Sequence, residues 1–302
     1  IVNRAHNDFH QDQVGFFGLF ECINDARVAS ALLTAAEAWL RQRGRTLARG
    51  PMNFSTNEEI CSPGVLIDGF DTPPKILMAH TPPYYAHLLE SAGYSKSKDL
   101  LSYWLDAEQT PERLVSGLQK VGRREGFRLR PLNLKDFAGE VGRVKDVYNA
   151  AWERNWGFVP MSDAEVDFMA RSLRPLLDPE LCVFAELGDE TVGFALVVPD
   201  YNEALAHVNG RLFPIGVFKF LWYRRSIESV RMLTLGVKPQ YRHRGLDAML
   251  TVALMETSQK KGRARGEGSW ILEDNFAMRR GMDRMGARVY KTYRVFDKLL
   301  LA

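Results

Sequence analysis

One segment of the chain limits the possible folds more than any other: an apolar strand that leads into a basic turn and a long helix. Residues 230–237 are largely apolar on both faces, which predicts a central strand. The turn at 240–247 reads Gln-Tyr-Arg-His-Arg-Gly-Leu-Asp, and helical spacing continues from 245 to 261. A helix N-terminus offers free backbone N–H groups and positive potential, and a glycine there allows close approach of an anion. The segment therefore predicts a phosphate site within an α/β protein.

The rest of the second half alternates strands and helices around this segment. Ser162 and Glu165 form the capping-box pattern that opens a helix, and Gly188-Asp189-Glu190 is a hairpin signal. Periodicity predicts strands at 127–132, 181–187, 191–198, 269–273 and 289–300, and helices at 139–152 and 276–285. This order predicts an α/β fold with a mixed, mostly antiparallel sheet flanked by helices.

The turn resembles the acyl-CoA-binding loop of the GNAT acyltransferases, whose pattern is R/Q-x-x-G-x-G/A. Arg242 and Gly245 match, and Asp247 stands where the family has Gly or Ala. Asp274-Asn275-Phe276-Ala277 and Met285-Gly286 resemble the family's N-x-x-A and L-G-F motifs, with Ala287 in place of the Phe. The resemblance covers about residues 127–300.

This resemblance implies that the second half binds an acyl-CoA, with acetyl-CoA as the co-substrate and no metal. In the family the strand before the loop splays from its neighbour and the pantetheine arm fills the gap, and Gly236 is consistent with a bulge there. Arg242 and Arg244 are expected to pair with phosphate oxygens. The expected cofactor-binding residues are Leu235, Gly236, Val237, Arg242, His243, Arg244, Gly245, Leu246, Asp247 and Asn275.

Acyl transfer to an amine requires a base for the amine proton and an acid for the departing thiolate. Met282 occupies the position of the family's Tyr acid, and a thioether cannot donate a proton. Tyr290 is the preferred replacement, with Tyr293, water or no acid at all as the alternatives. Glu228 is the preferred base because we expect it at the mouth of the splayed strands, and Glu273 is the second candidate base.

Aromatic residues mark the expected acceptor side. Trp156 and Phe158 lie between the first two helices of the second half, where the family shapes its acceptor pocket, and Tyr223 lies before the central strand. We expect these three residues to bind the acceptor, an amine of a small molecule or an amino acid. The alternative is that the aromatic side chains seal a contact between the two halves of the chain.

The first half repeats part of the second. Four segments resemble the strand, helix and closing elements that surround the basic turn: 14–21, 26–44, 84–94 and 100–106. This similarity predicts two GNAT-like lobes in tandem: an incomplete structural lobe without a coenzyme A loop at 1–110, a linker with a connecting helix at 111–126, and the acyl-CoA-binding domain at 127–302. We expect residues 1–9 to form the third strand of the first lobe, and the missing earlier elements to precede residue 1.

Composition narrows the functional classes. The 302 residues carry a net charge of +3, and no apolar run reaches the ~20 residues of a membrane span. Cys22, Cys61 and Cys182 are far apart, without the spacing of a zinc site or a disulfide framework. We therefore expect a cytoplasmic monomer or homodimer with neither a nucleic acid nor a membrane as partner.

The leading hypothesis is an acyl-CoA-dependent N-acyltransferase, specifically an N-acetyltransferase. Met282 and Asp247 motivate a second hypothesis, a non-catalytic acyl-CoA-binding or interaction protein. A third is an aminoacyl-tRNA-dependent transferase, which also uses paired lobes of this fold. The basic turn at 242–245 argues against the third hypothesis, because that chemistry needs no diphosphate site.

Overall fold

The computed structural model describes residues 1–53 and 63–300, so Cys61 lies outside the described residues. Its strands are β1 Val14–Phe16, β2 Leu47–Gly50, β3 Val65–Asp68, β4 Ser95–Asp106, β5 Arg128–Pro131, β6 Cys182–Leu187, β7 Glu190–Pro199, β8 Ser229–Val237, β9 Arg265–Leu272 and β10 Arg288–Leu299. Its α-helices are α1 Arg4–His10, α2 Ala26–Arg41, α3 Tyr85–Ser91, α4 Glu112–Glu125, α5 Phe137–Trp152, α6 Asp163–Leu173, α7 Tyr201–Leu205, α8 Gly216–Tyr223, α9 Leu246–Lys260 and α10 Phe276–Arg284.

The strands of the described chain form one ten-stranded sheet in the order β1-β2-β10-β4-β9-β8-β7-β6-β5, with β3 also paired to β10. The pairs β1–β2 and β8–β9 are parallel, and the other pairs are antiparallel. The prediction of a mixed, mostly antiparallel sheet flanked by helices is confirmed. Backbone pairing is continuous from β1 to β5, so the strands of both halves belong to this one sheet.

The closing strands account for this continuity. β4 comes from the first half but pairs with β9, whereas β10 comes from the second half and pairs with β2 and β3. β4 and β10 also pair with each other at the centre. The order β1-β2-β10-β4-β9-β8 is therefore symmetric, with α2 joining β1 to β2 as α9 joins β8 to β9. The division at residues 110 and 127 into two copies of one fold stays a prediction, and α4 occupies the predicted linker.

The first nine residues differ from the sequence-based expectation. They include α1 rather than a strand, because Asn3 caps this helix and its side chain accepts a hydrogen bond from the backbone N–H of His6. Of these nine residues, Ile1 lies beside β1, and its backbone exchanges two hydrogen bonds with that of Phe16.

Helices cover both faces of the sheet next to the basic turn. Phe194 packs in a cluster beneath α5, whereas the neighbouring Ala195 packs in a cluster with α9. β7 is therefore buried on both faces. Ser162 and Glu165 form the predicted capping box at the start of α6. In the part of the chain that the structure describes, no helix has the length and apolarity of a membrane span.

Candidate active site

The parallel strands β8 and β9 separate half-way along their length. Their pairing runs from Ser229 and Arg265 to Met232 and Gly268, and it ends there although both strands continue. The edge of β8 beyond Met232 therefore has no strand partner on its β9 side. A gap opens there, with the unpaired backbone groups of one parallel strand along its wall.

The bulge in β8 lies at Leu233. Leu196 of β7 pairs with Thr234 and Val197 pairs with Met232, so Leu233 is the extra residue. The predicted bulge at Gly236 is wrong, since Gly236 pairs in register with Phe194.

Gly236 is required for a different reason. A Cβ atom there would lie 2.4 Å from Cζ3 of Trp152, so the glycine permits α5 to pack closely against β8.

Two adjoining cavities follow the gap. The first, of about 120 Å³, lies between the separated strands and is lined by Met232, Thr234, Ser269 and Trp270 among others. The second, of about 420 Å³, extends to the basic turn. The two share the lining residues Trp152, Asn155, Trp156, Leu235, Leu272, Asn275 and Met278. Together they form a cleft from the middle of the sheet to the start of α9.

The basic turn places the N-terminus of α9 at the end of this cleft. Gly245 caps the helix with φ +75° and His243 has φ +63°, so both residues are in the left-handed region. Asp247 lies in the first helical turn and lines the cleft. The predicted cofactor-binding residues along the cleft are Leu235, Gly236, Val237, Arg242, His243, Leu246, Asp247 and Asn275. Gly245 lines an adjoining cavity of about 440 Å³.

The two arginines of the turn do not present free guanidinium groups to the cleft. Arg242 donates hydrogen bonds to the backbone oxygens of Ala151 and Val237, and it therefore holds the end of α5 against the end of β8. Arg244 lies 3.7 Å from a carboxylate oxygen of Glu125. Arg242 nevertheless lines the cleft and Arg244 is 45% exposed, so the binding of phosphate oxygens by this pair stays a prediction.

Two further cations lie near the start of α9. Arg280 and Arg284 of α10 line the adjoining cavity together with Gly245 and Asp247. Asn275 caps α10 by accepting a hydrogen bond of 3.2 Å from the N–H of Met278, and its side chain lines both cavities of the cleft.

The structure separates the three predicted catalytic residues. Glu228 is exposed at the paired end of β8 and β9, so the expectation that it lies at the mouth of the splay is wrong. Glu273 follows β9 and accepts a hydrogen bond of 2.6 Å from Lys96. Tyr290 donates its hydroxyl proton to Glu267 in the sheet. Burial, with the nearby negative charge of Glu267, raises the pKa of Tyr290, so the phenol stays protonated.

A buried polar network that the sequence analysis missed lies beside the gap. The hydroxyl of Ser269 accepts a hydrogen bond of 2.8 Å from Nε of Arg231 and donates one of 2.5 Å to Oε1 of Glu267. The side chains of Arg231 and Glu267 are 0% exposed. Ser269 lines the gap cavity, so the network presents one hydroxyl group there. An arginine within an otherwise apolar strand was the signal that could have revealed it.

Met282, at the position of the family's Tyr, is buried and lines the gap cavity. Its thioether supplies apolar wall at this point and no exchangeable proton.

Two of the three predicted acceptor residues reach the cleft. Trp156 lines both of its cavities, and Arg49 stacks over its ring at 5.0 Å. Phe158 is buried and lines the gap cavity. Tyr223 lies elsewhere, in α8, where its ring stacks on His207 at 3.8 Å. The structure therefore does not bring Tyr223 to the other two.

A third cavity, of about 100 Å³, lies beneath α5 and α6. It shares Tyr148, Leu233 and Thr234 with the gap cavity. Most of its other lining side chains are apolar: Leu132, Phe137, Val141, Val144, Met161, Val166, Met169, Ala170, Leu173, Leu177, Cys182, Phe194 and Leu196. The gap between the strands thus adjoins a polar cleft on one side and an apolar chamber on the other.

Two curated relatives match nearly the whole chain. A bacterial ceramide synthase from Caulobacter vibrioides is 38% identical over 292 residues, covering 95% of this chain and 75% of that protein. Protein YghO from Escherichia coli is 34% identical over 305 residues, covering 98% of this chain and 77% of that protein. The chain belongs to the family of these two proteins. No protein-family model matches it.

Solved structures with the GNAT fold match this family member. A GCN5-related N-acetyltransferase from Sphaerobacter thermophilus has a TM-score of 0.53 and 16% identity, covering 90% of this chain and 68% of that one. A tandem GNAT protein from the clavulanic acid biosynthesis pathway has a TM-score of 0.51 and 13% identity, covering 90% of this chain and 70% of that one. Such low identities establish the fold alone. The predicted GNAT fold is confirmed.

Proposed function

We propose that this protein is an acyl-CoA-dependent N-acyltransferase that joins a long acyl chain to the amine of a lipid base. The observation that carries the proposal is the gap between β8 and β9, which adjoins both the cleft ending at α9 and the apolar chamber. The name of the Caulobacter relative supports the lipid substrate, since a ceramide is the amide of a fatty acid and a long-chain amino alcohol. The proposal replaces the acetyl group of the leading hypothesis with a longer acyl chain.

The coenzyme A portion would occupy the polar cleft. Its diphosphate would lie at the N-terminus of α9, where Gly245 allows close approach and Arg280 and Arg284 add positive charge. Its pantetheine amides would pair with the free edge of β8 beyond Met232, because these backbone groups have no strand partner on that side. This placement puts the thioester in the gap.

The acyl chain would enter the chamber beneath α5 and α6. Leu233 and Thr234 form part of the wall of both the gap cavity and the chamber, so a chain leaving the thioester would enter the chamber past these two side chains. Each methylene group transferred from water to such surroundings contributes about 0.8 kcal/mol to binding. At about 100 Å³ the chamber holds the first few carbons of such a chain, and it therefore favours chains longer than acetyl.

Ser269 and Glu267 are the proposed proton acceptors. As the amine nitrogen attacks the thioester carbon, its proton passes to Oγ of Ser269 while the serine proton passes to Oε1 of Glu267, 2.5 Å away. The carbon–sulfur bond then breaks, and the proton returns through Ser269 to the thiolate. Arg231 holds the serine hydroxyl in place through its hydrogen bond of 2.8 Å. The products are the amide and free coenzyme A.

A non-catalytic acyl-CoA-binding protein is the competing function. Met282 favours it, because this buried side chain supplies no proton in the gap. The two functions differ in one observable: a transferase releases the thiol of coenzyme A when the amine is added, whereas a binding protein releases none.

The test is an assay of the purified protein with acetyl-, octanoyl- and palmitoyl-CoA and a long-chain amino alcohol, following thiol release and the amide by mass spectrometry. We expect amide formation with palmitoyl-CoA. Ser269→Ala should lower kcat by about 10²- to 10⁴-fold, the range typical of general base catalysis, with little change in KM. Acyl-CoA binding without amide formation from any pair would refute the transferase and support the binding protein.

A pair of variants in α6 tests the chamber. Ala170 lines it and Ala164 is exposed on the same helix. Ala170→Phe should lower kcat/KM for octanoyl- and palmitoyl-CoA at least ten-fold more than for acetyl-CoA, whereas Ala164→Phe should leave the ratio unchanged. An unchanged ratio in Ala170→Phe would place the acyl chain elsewhere.

A further inference from the structure

The segment between β7 and β8 exposes an unusual number of large apolar side chains. Phe213 is 82% exposed, Phe218 70% and Trp222 69%. We define the apolar ridge by its exposed members Leu212, Phe213, Ile215, Phe218, Leu221 and Trp222. Scattered apolar residues are normal on a protein surface, but a contiguous group of this kind marks an interaction site.

Contacts between α8 and the rest of the protein hold the ridge in place. α8 is anchored from beneath by buried Gly216, where a Cβ atom would lie 1.9 Å from the backbone oxygen of Arg211. The ring of Phe220 packs 6.0 Å from that of Tyr201, and Tyr223 stacks on His207. These contacts use one side of α8 and leave the ridge directed outward. The exposed rings therefore belong to the native surface of the described chain.

Cations surround the ridge. Arg211, Lys219, Arg224 and Arg225 are all exposed, and residues 209–226 contain no acidic residue. None of these four cations has an ion pair with another residue in 1–53 or 63–300. Unpaired cations beside exposed aromatic rings fit a binding partner whose outer layer is anionic and whose inner layer is apolar. That combination occurs where the head groups of a bilayer meet its acyl chains.

We propose that the apolar ridge docks on the surface of a bilayer that contains anionic lipids. The rings of the ridge enter the boundary between head groups and acyl chains, and the four cations contact lipid phosphates. α8 has eight residues and is about 12 Å long, so it lies on the membrane and does not cross it. The proposal revises the expectation that the protein has no membrane partner.

The topology places the apolar ridge far from the basic turn at the start of α9. The ridge precedes β8 and the basic turn follows it, so the two lie at opposite ends of a nine-residue strand, about 30 Å apart. A membrane bound at the ridge therefore leaves the start of α9 in water. This inference concerns a surface outside the cleft and holds whether or not the proposed acyl transfer does.

The test is flotation of the full chain with vesicles of phosphatidylcholine alone and of phosphatidylcholine with 30 mol% phosphatidylglycerol. We expect binding to the anionic vesicles that weakens as salt is added. Phe218→Ser and Trp222→Ser should each weaken binding about ten-fold. Arg225→Glu should weaken it about five-fold or more. The matched controls are Phe168→Ser, an exposed aromatic residue of α6, and Lys260→Glu, an exposed cation of α9; both should bind as wild type.

Fluorescence quenching by brominated lipids locates the contact. Trp222→Phe keeps an apolar ring at this position, so it should retain binding and lose most of the quenching. Absence of binding to anionic vesicles, or binding that the ridge variants do not weaken, would overturn the proposal. A concentration-dependent dimer that Phe218→Ser disrupts, with no vesicle binding, would instead show that the ridge joins two copies of the chain.

Discussion

Substitution of Gly236 by alanine should destabilise the protein, although alanine is ordinarily the better residue in a strand. The new Cβ atom would lie 2.4 Å from Cζ3 and 2.6 Å from Cη2 of Trp152, and 3.3 Å from Cβ of Ala151. Trp152 has little freedom to withdraw, because its ring stacks on Tyr148 at 4.5 Å and lies 6.3 Å from that of Phe194. The substitution therefore forces α5 and β8 apart.

The magnitude follows from two opposing effects. Overpacking of a core costs about 1–3 kcal/mol, and replacing a strand glycine by alanine returns about 0.5–1 kcal/mol. We expect Gly236→Ala to lower the free energy of unfolding by about 1–2 kcal/mol, measured by urea titration. Gly142 of α5 is the matched control, since a Cβ atom there meets nothing within 4 Å. Gly142→Ala should raise the free energy of unfolding by about 0.5–1 kcal/mol.

A double-mutant cycle assigns the loss to Trp152. Trp152→Leu removes the ring that the new Cβ atom would meet, so Gly236→Ala should cost about 1 kcal/mol less in that background than in wild type. The explanation fails if Gly236→Ala is as stable as wild type, or if its cost is the same in both backgrounds. Isothermal titration of coenzyme A adds a functional measurement, because Gly236 and Trp152 both line the cleft.

Three further predictions concern charged groups. Burial lowers the pKa of His6 to about 4 from 6.5 in the unfolded chain, so the unfolded state binds the proton first as the pH falls. The free energy of unfolding should therefore drop by about 3 kcal/mol from pH 6.5 to 4, and urea titrations of His6→Gln should lack this pH dependence. Asp247→Asn should raise the affinity for coenzyme A about two- to five-fold by calorimetry, because the carboxylate competes with phosphate for the N-terminus of α9; an unchanged affinity would place the diphosphate elsewhere. Arg130→Met removes the nearer of the two arginines that pair with Glu140, which is 2% exposed, and leaves Arg143 at 3.5 Å; it should lower the free energy of unfolding by about 2 kcal/mol, and adding Glu140→Leu should restore most of the loss.

The elements around the basic turn could be predicted because local sequence determines them. An apolar run between turn residues specifies β8, and glycine with helical spacing specifies the start and length of α9. The capping box at Ser162 is also local, since four residues contain both of its hydrogen bonds. This order of elements, together with the resemblance of the turn to the GNAT acyl-CoA loop, predicted the fold and the position of the cleft.

The pairing of the sheet could not be predicted, because it depends on contacts between distant segments. Nothing in the sequence of β4 indicates that it pairs with β9 and β10 rather than with strands of the first half. Glycine at position 236 fitted two explanations, a bulge or a close approach of α5, and only the position of Trp152 distinguishes them. The direction of side chains in the site could not be predicted for the same reason. Arg242 has the expected position in the turn, but its guanidinium group donates hydrogen bonds to backbone oxygens.

β4 of the first half pairs with β9 of the second half, and β10 of the second half pairs with β2 and β3 of the first. This exchange of strands sets the order in which the sheet can form during synthesis. The ion pair between Arg49 and Asp297 joins residues 248 positions apart, and β2 has no strand on its inner side until β10 is made. At 5–20 residues per second, the first half waits on the order of 10–40 s with exposed strand edges. Such edges invite pairing with other nascent chains, so we expect the ribosome-bound first half to depend on chaperones. Native structure in the first half should then appear only after the last strand leaves the exit tunnel.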